Sequence, residues 1–206
     1  MIIPLSSATD VFWVGRLGDA VSLASQGAAN QVFSSMFWII SFLPSLVTPL
    51  VAKAAAKGDQ DELQSRVGEA IFLASIIGTF GMLAVAFFSQ YALGLVAVNP
   101  GTPTFELAKP YLLIRCLTFM PAVVSTVAFA TFRGTVDVMT PLKITLFANI
   151  ENVCLDPLLI FGGWWVPAMG VAGAALATVI ADVTSATSYI TLLVRRKFLV
   201  WSKVFR

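Results

Sequence analysis

The stretch FANIENVCLDPLLIFGG, residues 147–163, places four polar side chains inside an apolar run. They are Asn149, Glu151, Asn152 and Asp156, which fall within about two helical turns. Asn152 and Asp156 are four residues apart, so a helix stacks them on one face. Carboxylate and amide oxygens on one face can bind a hard cation, and crowded carboxylates can hold a proton. The spacing therefore indicates that Asn152 and Asp156 line a polar cavity, where they share a ligand or a proton.

The composition predicts that this helix crosses a membrane. Of the 206 residues, 58% are hydrophobic and only 12% are charged, and the mean hydropathy is +0.87. A soluble domain usually carries about 25% charged residues. Long apolar runs between short polar joints are what a bilayer requires. We therefore predict an all-α integral membrane protein in contact with the lipid bilayer.

Several other classes of protein are disfavoured by the residue types. The chain has no His, so a zinc or haem centre has few ligands, and we expect no cofactor and no bound metal beyond a coupling Na⁺. Cys116 and Cys154 both fall in apolar runs, which favours packing as small buried side chains over a disulfide. The net charge of +2 gives no indication of nucleic-acid binding.

The apolar runs predict a single bundle of six transmembrane helices. Each run has roughly the 17–25 residues, or more, of a tilted span. The joints between them include the charged stretch KAAAKGDQDELQSR, interpreted as a solvated cytosolic loop, and GGWWVPAMG, where Trp164 and Trp165 fit an interfacial aromatic belt. The predicted spans are about 1–22, 27–55, 68–98, 105–131, 140–162 and 170–194.

The basic residues predict the orientation of this bundle. Most Lys and Arg residues lie at the second joint (KAAAKGDQDELQSR), at the fourth joint (FRGTVDVMTP) or in the C-terminal tail (RRKFLVWSKVFR). The positive-inside rule places these three segments on the cytosolic, stromal or matrix side. Asp10 then precedes the outer Gly15 by five residues, and Asp156 precedes the outer Gly162 by six. Both carboxylates lie about 8–9 Å below the outer surface. A carboxylate facing lipid there would cost several kcal/mol, so we expect a shared polar cavity. The alternative is that Asn152 and Asp156 only hydrogen-bond one helix to its neighbours.

Four motifs resemble those of the multidrug and toxic compound extrusion (MATE) transporters. In order along the chain they are TDVFWVGRLGDAVSLASQG, FRGTVDVMTPLKI, NVCLDPLLIFG and GVAGAALATVIAD. The fourth-joint motif and ELAKPYLLIRC resemble most the DinF-like branch, which includes plant and algal members. Family members have two six-helix lobes, so the chain is similar to the N-terminal lobe of a twelve-helix transporter. We expect a fragment of a two-lobe protein, or else a half-transporter that pairs with a second copy.

The resemblance implies an antiporter that exports an organic solute in exchange for H⁺ or Na⁺. Its solute would be drug-like, phenolic or an organic acid, and the protein would lie in the plasma membrane or in an organelle membrane such as that of a plastid. The family's N-lobe cation site joins an acid of the first span to an Asn and an Asp of the fifth, which match Asp10, Asn152 and Asp156. Thr178 is the nearest candidate for a hydroxyl from the sixth span.

Three further charged residues fall at mid-membrane depth. Arg115 could meet an anionic substrate or pair with Glu151, and we favour the ion pair because an unpaired arginine in hydrocarbon is costly. Glu151 replaces the neutral residue expected from the resemblance. Asp182 in the sixth span is assigned to the same network.

Other functions stay open at this point. A flippase for lipid-linked precursors shares the superfamily, but Arg115 is the only deep basic residue that could line its cavity. An intramembrane aspartyl protease using Asp10 and Asp156 lacks a G-x-G-D motif, so we predict that the chain is not an enzyme. A non-transporting membrane assembly subunit is a further alternative.

Overall fold

The computed structural model describes residues 3–163 and 166–200, and within them the chain forms a helical bundle. One short bridge between Gly163 and Val166 accompanies the helices in this part of the chain. The all-α prediction is confirmed. A 3-10 turn at Cys116–Thr118 connects two of eight helices, which are α1 (Ile3–Gly15), α2 (Ala20–Ile40), α3 (Leu43–Lys57), α4 (Gln60–Leu95), α5 (Pro103–Arg115), α6 (Phe119–Gly134), α7 (Met139–Phe161) and α8 (Val171–Arg195).

Within residues 3–163 and 166–200, five helical segments are long and apolar enough to cross a membrane. They are α2 with α3, α4, α5 with α6, α7, and α8. The first predicted span is represented by α1, whose 13 residues reach only about 20 Å. Residues 1–2 of that predicted span lie outside the described residues, as do Trp164 and Trp165 of the predicted aromatic belt.

One local expectation was wrong. The predicted loop KGDQDELQSR is mostly helical, because Asp59 caps α4 by accepting hydrogen bonds from the backbone N–H groups of Asp61 and Glu62, each at 3.0 Å. The predicted span 27–55 lies within the apolar segment Ala20–Lys57. That segment is interrupted at Ser41 and Phe42, because Pro44 near the start of α3 has no N–H to continue the α2 ladder.

Cysteine packing also differs from the prediction. Cys116 is buried, but Cys154 is exposed on α7, two residues before the buried Asp156. Residues two apart on a helix point to different sides, so burial of the Asp156 side leaves Cys154 outside the bundle. Both thiols are free.

The helices α7 and α8 pack with their backbones in close approach. A Cβ atom placed on Gly173 would collide with the carbonyl oxygen of Leu159. Small residues allow this contact, and such contacts are the usual means of joining helices in lipid. The contact fixes α8 against the helix that carries Asn152 and Asp156.

A polar cluster at the joint between α6 and α7 fastens the end of α8. Asp137 accepts hydrogen bonds from the Thr140 backbone N–H at 3.0 Å and from the Thr140 hydroxyl at 2.7 Å, and it pairs with Arg196. Arg196 also donates to the Thr140 hydroxyl at 2.8 Å. The Thr140 hydrogen bonds, with a smaller contribution from Arg196, lower the pKa of Asp137 from 3.8 to about 2.

We predict that Gly173→Ala destabilises the bundle by about 1–3 kcal/mol, because the new methyl group must separate α7 from α8. Gly27→Ala is the matched control, since a Cβ there meets nothing within 4 Å. It should be neutral or stabilising by up to about 1 kcal/mol. Thermal unfolding in detergent measures both. Equal melting temperatures for the two variants would contradict the close-packing interpretation.

We also predict that Asp137→Ala destabilises the bundle by about 1–2 kcal/mol through loss of the hydrogen bonds from Thr140 and of the exposed ion pair. Asp137→Asn retains an oxygen that accepts from Thr140 and should lose less. Because the folded-state pKa is lowered, the Asp137 contribution is complete above pH 3.8 and disappears as the pH falls towards 2. Melting temperatures of the three proteins across that pH range check this. A difference between wild type and Asp137→Ala that is unchanged at pH 2 would contradict it.

Candidate cation site

Three helices bring together the predicted cation-site residues. Asp10 lies on α1, Asn152 and Asp156 lie on α7, and Thr178 lies on α8. All four are buried, with exposed fractions of 1%, 1%, 0% and 8% in that order. The i, i+4 spacing of Asn152 and Asp156 places both towards α1, which packs against α7.

The side chains of these residues are mutual neighbours. The Thr178 hydroxyl lies 3.3 Å from Asp10 Oδ2, and it also lies 3.1 Å from the Ala174 carbonyl oxygen of its own helix. The Asp10 carboxyl adjoins Asp156 and Asn152 as well as Thr178. Asp10 and Asp156 therefore form a close pair of acidic groups, as the sequence predicted.

Several oxygen atoms of this cluster have no hydrogen-bond partner within the described part of the chain. They are Asp10 Oδ1, Asn152 Oδ1 and both carboxylate oxygens of Asp156. Buried polar atoms are nearly always satisfied, so such a concentration calls for a ligand. Oxygen donors of this kind suit Na⁺, and paired carboxylates suit a shared proton. The donor set therefore fits either cation.

Arg115 does not pair with Glu151, contrary to the sequence-based expectation. The structure has no Arg115–Glu151 ion pair within 4.0 Å, and Glu151 Oε1 instead accepts a hydrogen bond of 3.1 Å from Thr184 on α8. The physical reason is that the Glu151 side chain points towards α8, where it meets Thr184. The acidic groups that act electrostatically on Arg115 are instead Asp10 and Asp182. The guanidinium carbon lies 5.0 Å from the centre of the Phe33 ring. The assignment of Asp182 to a network with Arg115 stays a prediction.

Sequence analysis missed three polar residues beside the site. Tyr111 is fully buried on α5, and its hydroxyl donates to Asn30 Oδ1 at 3.0 Å. Gln26 is also buried beside Tyr111. The available signal was the spacing, because Tyr111 precedes Arg115 by four residues and Gln26 precedes Asn30 by four, which places each pair on one helix face.

The fourth polar residue of the opening stretch, Asn149, has a local role. Its amide donates to the Thr145 carbonyl on its own helix at 2.7 Å.

An apolar cavity of about 550 Å³ lies elsewhere, between α4, α6 and α8, where Met82, Pro121 and Ile190 contribute to its wall. The acidic residues of the cation site do not line it.

The family of this chain follows from its match to a family model. The model described as MatE matches residues 1–158, which is most of the chain and includes the joint at 132–143 and both Asn152 and Asp156. The chain belongs to the MatE family. This confirms the recognition made from the motifs.

Relatives of this MatE chain include plant and bacterial proteins. Protein DETOXIFICATION 44, chloroplastic, of Arabidopsis thaliana is 32% identical over 87% of this chain and 35% of its own length. The DNA damage-inducible protein F of Escherichia coli is 29% identical over 96% of this chain and 41% of its own. A probable multidrug resistance protein NorM of Rhizobium meliloti is 31% identical over 83% and 36%. The MatE chain thus spans well under half the length of these relatives.

Solved structures show the same fold. The crystal structure of MATE in the bent conformation gives a TM-score of 0.85 at 21% identity, covering 95% of this chain and 42% of that one. The inward-facing conformation of a MATE transporter of the MOP superfamily gives 0.82 at 22% identity, covering 92% and 41%. With the five apolar spans, these likenesses confirm a multi-pass membrane protein whose fold corresponds to one lobe of a MATE transporter.

We predict that Asp10→Asn and Asp156→Asn have non-additive effects on stability. Each carboxylate is the charged neighbour of the other, so neutralising one reduces the gain from neutralising the second. The coupling energy should be about 0.5–3 kcal/mol. Melting temperatures of wild type, both single variants and the double variant measure it at one pH without added Na⁺.

A distant pair is the control for this prediction. Asp10→Asn and Asp137→Asn lie in separate clusters, so their effects should add to within about 0.5 kcal/mol. Additive effects of Asp10→Asn and Asp156→Asn would show that the two carboxylates do not interact.

Proposed function

We propose that the chain is the N-terminal lobe of a cation-coupled antiporter, a transporter and not an enzyme, that exports an organic solute in exchange for H⁺ or Na⁺. The observation that carries this proposal is the convergence of Asp10, Asn152 and Asp156 inside a membrane-spanning bundle, where four of their oxygen atoms have no hydrogen-bond partner among the described residues. Ionisable groups within a membrane usually mark an ion or substrate pathway. The names of the relatives, detoxification and multidrug resistance proteins, support export of toxic or drug-like solutes.

The coupling follows from the electrostatics of the cluster. Without a cation, Asp10 and Asp156 place two negative charges side by side away from water, which is unfavourable. Binding of H⁺ or Na⁺ relieves that repulsion and favours the arrangement of α1, α7 and α8 that holds the site. A cation can drive a conformational change only to the extent that it binds one state more tightly than the other. The two states differ in cation affinity when the helices around the site move apart during transport and separate the oxygen atoms that bind the cation.

A second lobe is part of this proposal. The exposed side of α2 carries Gln31, Ser34 and Ser35, and polar groups of this kind are unfavourable against lipid. The Gln31 amide nitrogen lies 3.4 Å from the Ser35 hydroxyl, which itself donates to the Gln31 carbonyl at 2.8 Å. This polar strip supports a water-filled cleft or a partner lobe beside α2. The partner would be a C-terminal lobe or a second copy of the chain.

The test replaces Asp156 by Asn in the complete transporter, meaning this lobe together with the half that completes it. The variant keeps the shape of the side chain but removes its charge, so gradient-driven export of a fluorescent organic cation should fall at least tenfold at unchanged membrane abundance. Asp19→Asn is the matched control, because Asp19 is an exposed N-cap of α2 and Asn caps helices equally well. It should export like wild type.

Normal export by the Asp156→Asn protein at normal abundance would contradict the cation-site proposal. Loss of export in both the Asp156 and the Asp19 variants would show general damage to the protein. Export is therefore compared with the amount of protein in the same membranes.

A further inference from the structure

The apolar cavity between α4, α6 and α8 has the size of a ligand site, at about 550 Å³. Helices α4 and α8 both pack against α6, so they form the two sides of the cavity, and α6 with the preceding 3-10 turn forms its floor. Three lining residues, Leu117, Met120 and Val183, are 49%, 37% and 47% exposed. The cavity therefore opens to the surface of the bundle.

The wall of this cavity is suited to a hydrocarbon chain. No charged side chain is among its described lining residues. Two lining hydroxyls on α8 are already satisfied within that helix, because Thr187 donates to the Val183 carbonyl at 2.8 Å and Thr191 donates to the Thr187 carbonyl at 2.7 Å. These two threonines therefore require no hydrogen-bonding ligand, and a polar solute would gain little from them.

The length of the cavity matches one leaflet of a bilayer. Its lining on α8 runs from Val183 to Thr191, which is about 12 Å along the helix axis. The hydrocarbon core of a bilayer is about 30 Å thick, so the chains of one leaflet occupy about 15 Å. A single acyl chain that lies along α8 in its own leaflet can therefore fill the cavity.

Basic residues stand at one end of the cavity. Arg195 lies one helical turn beyond Thr191 on α8, is exposed, and forms no ion pair within the described part of the chain. The Gln64 amide of α4 donates to the Lys197 carbonyl at 2.9 Å, so the two sides of the cavity meet at this end. The Lys197 side chain is also exposed. Basic groups beside a pocket between membrane helices bind anionic lipid headgroups.

We propose that this cavity binds one anionic phospholipid of the leaflet predicted to be cytosolic. Its acyl chain lies along α8 beside Thr187 and Thr191, and its phosphate lies beside Arg195. The lipid joins α4 to α8 across a gap that the protein's own side chains leave open. A second lobe is a poorer occupant, because α2, which carries the polar strip proposed to face that lobe, contributes no described residue to the lining. The site does not depend on the proposed transport function.

The experiment maps lipid contacts in the purified complete transporter by photo-crosslinking. The protein is placed in phosphatidylcholine vesicles with a trace of phosphatidylglycerol or phosphatidylcholine that carries a diazirine in its acyl chain. Mass spectrometry then quantifies labelling of the α8 peptide around Thr187. Phosphatidylglycerol should label this peptide at least fivefold more than phosphatidylcholine does. Arg195→Gln should lower that preference about fivefold, which corresponds to about 1 kcal/mol for one basic residue.

A second variant tests the position of the acyl chain. Ala186 lines the cavity and is half-buried, so the ring of Ala186→Trp fills the space and should remove labelling by both lipids. Each variant has a matched control. Arg133→Gln removes an exposed arginine from the same predicted side of the membrane and should keep the lipid preference. Ile150→Trp adds the same ring at an exposed position on α7 outside the cavity and should keep the labelling.

Four results would overturn the proposal. Equal labelling by the two lipids in the wild type would show ordinary solvating lipid. Equal loss of preference in Arg195→Gln and Arg133→Gln would show a general effect of surface charge. Unchanged labelling in a folded Ala186→Trp protein would place the chain outside the cavity. An unlabelled cavity beside labelled positions on α4 would show that another protein surface covers it. If Ala186→Trp does not fold, Arg195→Gln decides the matter, because Arg195 is exposed.

Discussion

The need to bury two carboxylates side by side within a membrane governs this lobe. Asp10 and Asp156 are both almost completely inaccessible, and a carboxylate facing hydrocarbon costs several kcal/mol. Each is tolerable only where the surrounding helices supply polar neighbours and room for a cation. Those neighbours come from α7 itself through Asn152 and from α8 through Thr178. The arrangement of α1, α7 and α8 is therefore tied to the chemistry of the site.

The remaining helices keep that arrangement in place. Gly173 brings α8 against α7, and the Asp137 cluster holds the end of α8 to the start of α7. In addition, α5, which carries Tyr111 and Arg115, packs against α2 and α8. These contacts hold α7 and α8 together around the proposed cation site.

Sequence alone predicted the fold class and the acidic cluster because both follow from simple periodicities. A four-residue spacing places Asn152 and Asp156 on one helix face. The predicted depth of Asp10 below the outer membrane surface is the same as that of Asp156, which indicated that the two carboxylates lie at one level. The break in the second span and the helical start of α4 depended on Pro44 and on the Asp59 cap, whose effects are local and easily hidden by hydropathy. The Arg115–Glu151 pair failed because depth alone does not give the direction of a side chain.

The most direct measurement of the central claim is the number of cations bound by the complete transporter at saturation. H⁺ uptake and Na⁺ binding are summed for the wild type and for a variant with Asn at both Asp10 and Asp156. The account predicts that the folded variant loses the cation held by this cluster. An unchanged number of bound cations in a folded double variant would contradict it.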